Sequence, residues 1–166
     1  VNRLTKYLHK KGLCVESFYG SCLDKAGRLK RFADGEVKVM VATNAFGLGV
    51  NIPDIRLVIH HSPSIGLDEY IQEAGRAGRD GRQAKAVLLW HPYDFTINRG
   101  LIEKAKLQLT GKQRKERLAA LDALQAYAQD EEHCRWRMVR KFFGEPKGDR
   151  CYDQCDNCFC RDEDWL

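Results

Sequence analysis

The run Gln72-Glu73-Ala74-Gly75-Arg76-Ala77-Gly78-Arg79-Asp80-Gly81 decides how the rest of the chain is read. Two arginines stand three residues apart on backbone relieved by three glycines. The guanidinium is always charged, and its planar fork matches the oxygens of a phosphate. Glycine lets the main chain turn tightly and approach a ligand closely, and the spacing predicts that both arginines lie on neighbouring turns of a helix end. This is how an arginine finger for a nucleoside triphosphate is built. A charged surface junction between helix and loop rarely combines three glycines, two arginines and a leading Gln-Glu within ten residues.

Around this run, short apolar strands alternate with helices. Arg3 to Lys11 has helical spacing, with Leu4, Tyr7 and Leu8 on one side and Gly12 as the stop. Leu23 to Phe32 and Leu67 to Gly75 read as further helices. Val15 to Tyr19, Val37 to Ala42, Ile55 to His60 and Ala84 to Trp90 read as strands, and the β-branched run at Val37 is of the buried parallel kind. The alternation predicts an α/β fold with an open, mostly parallel sheet and flanking helices. After His91 only helices are expected, around Tyr93 to Leu107, Gln113 to Gln129 and Glu132 to Phe143. Leu118, Leu121, Leu124 and Tyr127 or Ala128 form one apolar stripe on the second of these. The third carries Met138, Val139, Phe142 and Phe143, so a helical hairpin is the simplest arrangement. A boundary at Thr110-Gly111 divides an α/β unit, residues 1–110, from a small helical and Cys-rich appendage, residues 111–166.

A chain of 166 residues can bury one sizeable core and a small satellite that needs help. The net charge of +5 suits a polyanionic partner without requiring one. No apolar run approaches the roughly 18 residues of a membrane span. Val1-Asn2-Arg3-Leu4 shows neither a signal-peptide core nor an initiator Met, so the reading is a soluble piece of a longer protein with no membrane partner.

Four of the seven cysteines crowd into Cys151 to Cys160 behind Cys134, which reads as metal ligation in a reducing compartment, cytosol or nucleus. The pattern Cys134-x16-Cys151-x3-Cys155-x2-Cys158 offers one ligand from a helix and three from a tight loop, a closed tetrahedral Zn site. The polar loop from Gly148 to Asn157 has almost nothing to bury, and metal would supply its missing stability. Cys160 is a fifth candidate by spacing. A redox role for the Cys-x-x-Cys pair would call for a strand-to-helix turn, which is not expected here. Cys14 and Cys22 read as small buried or half-buried residues, and His60-His61 as satisfied core or edge groups rather than a metal site.

Upstream of the arginine run lies Val41-Ala42-Thr43-Asn44-Ala45-Phe46-Gly47-Leu48-Gly49-Val50-Asn51-Ile52-Pro53. Together the two segments resemble motifs V and VI of superfamily 2 helicases. In their Gln-Glu-x-Gly-Arg-Ala-Gly-Arg-Asp-Gly and Ala-Phe-Gly-x-Gly forms they are similar to the RecQ family of ATP-dependent DNA helicases. Cys134-Arg135, Phe143-Gly144-Glu145 and Cys155-Asp156-Asn157-Cys158 resemble that family's zinc-binding subdomain, which supports Cys134, Cys151, Cys155 and Cys158 over Cys160 as the ligand set. The resemblance runs from about Val1 to Cys158 and implies a second RecA-like lobe followed by structural Zn2+.

By that resemblance ATP lies between two lobes. Arg79 is then the arginine finger, Arg76 a second phosphate contact, and Gln72 a support, with Gly47, Gly49 and Asn51 lining the nucleotide cleft. Thr43, Asn44 and Phe46 fall on the DNA path. Ile52 stands where many relatives carry Lys or Arg, and Phe18-Tyr19-Gly20-Ser21-Cys22-Leu23 replaces the usual Tyr-His-Ala-Gly-Leu stretch. No G-x-x-x-x-G-K-[ST] and no Asp-Glu-x-His occur, so the chain holds half an active site. ATP and Mg2+ are expected only in a full-length enzyme whose first RecA-like lobe is the essential partner. That enzyme would unwind DNA 3′ to 5′ at single strands and duplex junctions, in repair and recombination, in a nucleus or a bacterial cytoplasm. A stand-alone zinc protein that binds nucleic acid or docks on a partner is a different reading, and the cysteine appendage argues against a general RNA-helicase lobe.

Overall fold

The computed structural model describes residues 1–47, 51–104, 109–145, 151 and 154–159. They fall into two units, Val1–Arg56 with Gly75–Ala84, and Leu57–Ala74 with Lys85–Leu166.

In the first unit the helix α1 (Asn2–Lys10) stops at Gly12, whose φ of +82° is open to glycine and costly for other residues. The strands β1 (Val15–Phe18) and β2 (Val39–Ala42) pair in parallel, Val15 opposite Val39, with helix α2 (Lys25–Ala33) between them in sequence. Asp24 caps α2 by accepting from the Gly27 N–H at 3.1 Å. Two arginines of α2 then grip β1. Arg28 donates to the Ser17 carbonyl at 2.9 Å, and Arg31 forks onto Glu16 at 2.7 and 3.2 Å. Val15, Phe18, Val37 and Ile52 are buried. The departure at Ile52 is therefore filled by packing.

The second unit holds the parallel pair β3 (Leu57–His60) and β4 (Lys85–Leu88), followed by helices. These are α3 (Leu67–Ala74), α4 (Pro92–Glu103), α5 (Gly111–Gln129), α6 (Arg135–Phe142) and the short α7 (Asp156–Phe159). Both long helices begin with reciprocal caps. At α4, His91 Nδ1 accepts from the Tyr93 N–H while the Asp94 carboxylate accepts from the His91 N–H. At α5, Thr110 and Gln113 do the same. The core is Leu67, Tyr70, Phe95, Ile102, Leu121 and Leu124. At its edge Gly66 lies so close to α5 that a Cβ there would stand 2.8 Å from the Ala120 Cβ. No described helix is long and apolar enough to cross a membrane.

Several expectations change. Among the described residues the strands hydrogen-bond as two parallel pairs, each shorter than its apolar run. Val37 donates back to Arg31 at the end of α2, and Ile55 gives its carbonyl to Gly78, so neither joins a ladder. The α5 stripe buries Leu121 and Leu124 against α3 and α4, whereas α6 leaves Phe142 and Phe143 exposed, so the hairpin with α6 is not its main support. The compact units interleave along the chain, which is a separate division from the functional boundary expected at Thr110–Gly111.

Candidate functional site

Helix α3 ends at Ala74, so Arg76 and Arg79 stand beyond it on an irregular turn and not on helical turns as their spacing suggested. Glycine is the reason. Gly78 has φ +67°, and a Cβ there would meet the Arg82 carbonyl oxygen at 2.8 Å. The turn closes on itself through Gly81 N–H to Gly78 O at 2.9 Å. It is also fastened to the segment after Asn51. Gly78 N–H donates to Ile55 O at 2.9 Å, and Asp80 N–H to Pro53 O at 3.1 Å. Arg79 Nη1 reaches the Asn51 side-chain oxygen at 3.2 Å. Two of the nominated residues, Arg79 and Asn51, are thus in contact. Arg79 is exposed and Arg76 half-buried.

Sequence reasoning passed over Arg56. Its guanidinium donates to Asp54 O at 3.0 Å, Gln83 O at 3.2 Å, Pro53 O at 3.5 Å and Asp80 Oδ2 at 2.5 Å. That bond, with the Arg82 N–H, holds the Asp80 carboxyl below the usual carboxylate range. The signal was present in Pro53-Asp54-Ile55-Arg56, a cation just past a turn, but its partner lies 24 residues away.

The motif around Thr43 leaves β2 as a single 3-10 turn, Asn44–Gly47. Thr43 and Asn44 are exposed, and Thr43 Oγ1 accepts from the Ala45 N–H at 3.3 Å. Phe46 is half-buried, its ring edge-on to Phe18 at 5.4 Å and to Phe32 at 6.1 Å, so much of its surface is engaged in packing. Gly47 ends the turn, and Gly49 lies outside the described residues. In the second unit Gln72 is exposed on the last turn of α3. Its neighbour Glu73 accepts from Ser64 Oγ at 2.7 Å and pairs with His60 Nε2 at 3.0 Å. The His60 ring also lies edge-on to Tyr70, while its buried Nδ1 has no hydrogen-bond partner among the described residues. His61 is exposed.

The four nominated sulfurs converge: those of Cys134, Cys151, Cys155 and Cys158 all lie within 4.8 Å of one another and are buried. Zn–S bonds of about 2.3 Å in a tetrahedron put sulfurs about 3.8 Å apart, so the cluster matches a structural zinc with no open position. The scaffold is local. Cys134 immediately precedes α6, and the single turn of α7 begins after Cys155 and carries Cys158. Arg135 ties the parts together. It forks onto Asp156 at 3.0 and 2.9 Å, donates to the Tyr127 carbonyl, and lies 5.1 Å over the Tyr127 ring. Buried Asn157 donates to Asp130 O at 3.0 Å and His133 O at 2.8 Å.

Burial works to raise the Cys134 thiol, but N–H donors from Arg137 and Cys151 and the neighbouring thiols bring it down to about 6. Cys158 moves the other way, pushed up to about 12 by burial and by hydrogen bonds with Cys155, Cys134 and Cys151. A divalent metal binds such a set by displacing the thiol protons. Cys160 lies outside the described residues. Cys22 is buried, whereas Cys14 is exposed, its thiol donating to Glu36 O at 3.0 Å, because it precedes β1 and is not covered.

Comparison with known proteins agrees with both halves. Residues 1–81 match the helicase conserved C-terminal domain, and residues 92–159 match the RecQ zinc-binding domain. The chain is 35% identical to the ATP-dependent DNA helicase RecQ of Bacillus subtilis over 95% of its own length and 26% of the relative's. It is 34% identical to the ATP-dependent DNA helicase Q1 of Mus musculus over 96% of its length and 24% of that protein. The chain thus spans about a quarter of the length of these relatives. Among solved structures, the E. coli DEAD-box protein SrmB bound to regulator of ribonuclease activity A is similar with a TM-score of 0.53. There the identity is 28%, over 60% of this chain and 59% of that one. A yeast DEAD-box splicing factor shares the fold at TM-score 0.50 and 24% identity, over 72% of this chain and 28% of that one.

Proposed function

The chain belongs to the RecQ family of helicases, and from that premise we propose that it is the second RecA-like lobe and zinc-binding part of a 3′ to 5′ DNA helicase. The observation that carries the reading is the arginine turn, fastened to the Asn51–Arg56 segment so that Arg79 is presented on a held backbone. Arg79 acts on the charge that develops at the γ-phosphate during ATP hydrolysis. Arg76 contacts phosphate, Gln72 supports the pair, and Gly47, Gly49 and Asn51 border the nucleotide. Mg2+ and the phosphate loop come from a first lobe of the same polypeptide, since this sequence has neither a phosphate loop nor an Asp-Glu-x-His motif. Thr43, Asn44 and Phe46 lie along the DNA, single-stranded or at a junction.

Zn2+ on Cys134, Cys151, Cys155 and Cys158 is structural, because four thiolates leave no place for water. The functional division runs at Thr110–Gly111, with residues 1–110 serving the nucleotide and 111–166 the zinc module. Unpaired thiols suit a reducing compartment, bacterial cytoplasm or nucleus.

The test is steady-state ATPase in the full-length protein. Arg79→Ala is expected to lower DNA-stimulated kcat about 100-fold or more while KM for ATP stays within a few-fold. Equal loss of turnover and of nucleotide affinity makes Arg79 a general binding group and overturns the finger. The 166-residue chain by itself is expected to hydrolyse no ATP; turnover that Arg79→Ala abolishes in that chain overturns the two-lobe reading.

A further inference from the structure

We propose that Arg56 is a positioning residue for Arg79, clamping the arginine turn through Asp80 so that Arg79 leaves it in one fixed direction. The inference rests on the reading of Arg79 as the finger.

The residues on either side of Arg79 are both pinned to one short segment. Gly78 N–H is held by Ile55 O at 2.9 Å and Asp80 N–H by Pro53 O at 3.1 Å. The tip of the side chain meets that segment's start, Nη1 to Asn51 Oδ1 at 3.2 Å. The residues around Arg56 therefore hold Arg79 at its base and at its end.

Arg56 locks this arrangement by bonding to both strands of it. On its own side it donates to Asp54 O at 3.0 Å and Pro53 O at 3.5 Å; across the gap it reaches Gln83 O at 3.2 Å and Asp80 Oδ2 at 2.5 Å. The other Asp80 oxygen accepts from the Arg82 N–H at 3.1 Å, so the carboxylate is fixed at both oxygens. Only a planar fork with several donors makes such a set of bonds; an ammonium at the same place supplies the charge without the directions.

The Arg56 and Asp80 side chains are 40% and 22% exposed, and ion pairs that open to solvent add little to stability. Positioning is a different matter, since a misplacement of about 1 Å at a reacting group costs about 100-fold in rate. The pair is thus expected to matter far more for turnover than for folding. A merely structural ion pair does not show that separation.

The experiment is a double-mutant cycle in the full-length helicase, reading DNA-stimulated kcat, KM for ATP and thermal midpoint for R56A, R56K, R56D, R79A, R56A/R79A and the exchanged pair R56D/D80R. R56A is expected to lower kcat about tenfold with KM within about twofold and an unchanged midpoint. R56K should recover part of the loss, R56D/D80R should exceed R56D, and R56A/R79A should turn over no slower than R79A. Should R56A lose its fold, R56K carries the same reading by its kcat at unchanged midpoint. If R79A slows turnover and the Arg56 variants do not, or if their losses multiply in the double variant, positioning is overturned while the finger stands. If R79A itself leaves kcat unchanged, the finger reading falls first and the role of Arg56 with it.

Discussion

The arginine turn and the cysteine module are both irregular, and each is tied by one Arg–Asp ion pair, a single bond from Arg56 to Asp80 in the first and a two-bond fork of Arg135 on Asp156 in the second. Their supports are otherwise opposite. The turn keeps its chemistry on the outside, with Arg79 exposed on backbone held by hydrogen bonds to Pro53 and Ile55. The module turns its chemistry inward, where four buried sulfurs take the place of a hydrophobic core. Under the proposed function, the segment that offers a charge to a ligand relies on directional bonds and glycine. One that only has to persist relies on metal.

That contrast is broken most directly by removing the metal. One zinc per chain is expected, and structural zinc contributes on the order of 10 kcal/mol or more to the segment that binds it. Chelation, or Cys155→Ser, should therefore expose amides from about Asp130 to Phe159 to hydrogen exchange. Helix α5 should stay protected, because Leu121 and Leu124 are held by α3 and α4. Cys160→Ser should leave the zinc in place. Elemental analysis of the two variants decides, and metal that survives the first change and vanishes with the second means a different ligand set.

A smaller effect tests the glycine side. Gly78→Ala places a Cβ 2.8 Å from the Arg82 carbonyl at a left-handed backbone, a cost of about 1–3 kcal/mol. Denaturant unfolding should show that loss with zinc content unchanged; a neutral result means that the turn moves freely and that its bonds do not define it.

The smallest effect concerns the ion pairs themselves. With zinc bound, Asp156→Asn removes the charge that Arg135 meets while leaving the metal to hold the module. Its carboxyl is held below the ordinary range first by the Arg135 hydrogen bond, and it is largely exposed. A loss of about 1 kcal/mol in the exchange protection of α7 is expected. A loss as large as that from chelation would mean that the fork, and not the metal, organises the module.

What the sequence made legible follows the range of the interactions. The thiol spacing pointed to the metal cluster because ligands close in sequence must converge, and the periodicity of Leu118, Leu121 and Leu124 identified a buried face on α5. That pattern says which side is covered and nothing about what covers it, so α3 and α4 were missed in favour of α6. Helix α7 has no counterpart in the sequence pattern because Asp156–Phe159 is too short for periodicity; its one turn joins the converging thiols of Cys155 and Cys158. A spacing of three suggests that the arginines share a helix, yet the helix ends at Ala74 and Gly78 takes a left-handed backbone between them. At Arg56 the local pattern shows a cation just past a turn, but a partner 24 residues away leaves no trace beside it.

The near contact of Gly66 with Ala120 has a consequence for how this sequence can drift. The two positions share one small volume at the edge of the core, where a Cβ on residue 66 would stand 2.8 Å from the one already on residue 120. Neither site is free to accept a larger side chain by itself, however mild the change looks in a substitution table. A side chain at residue 66 therefore needs both Ala120 and the Asp68 carboxylate, 2.6 Å from the same point, to give way, while residue 120 gains no room from residue 66, which has no side chain to lose.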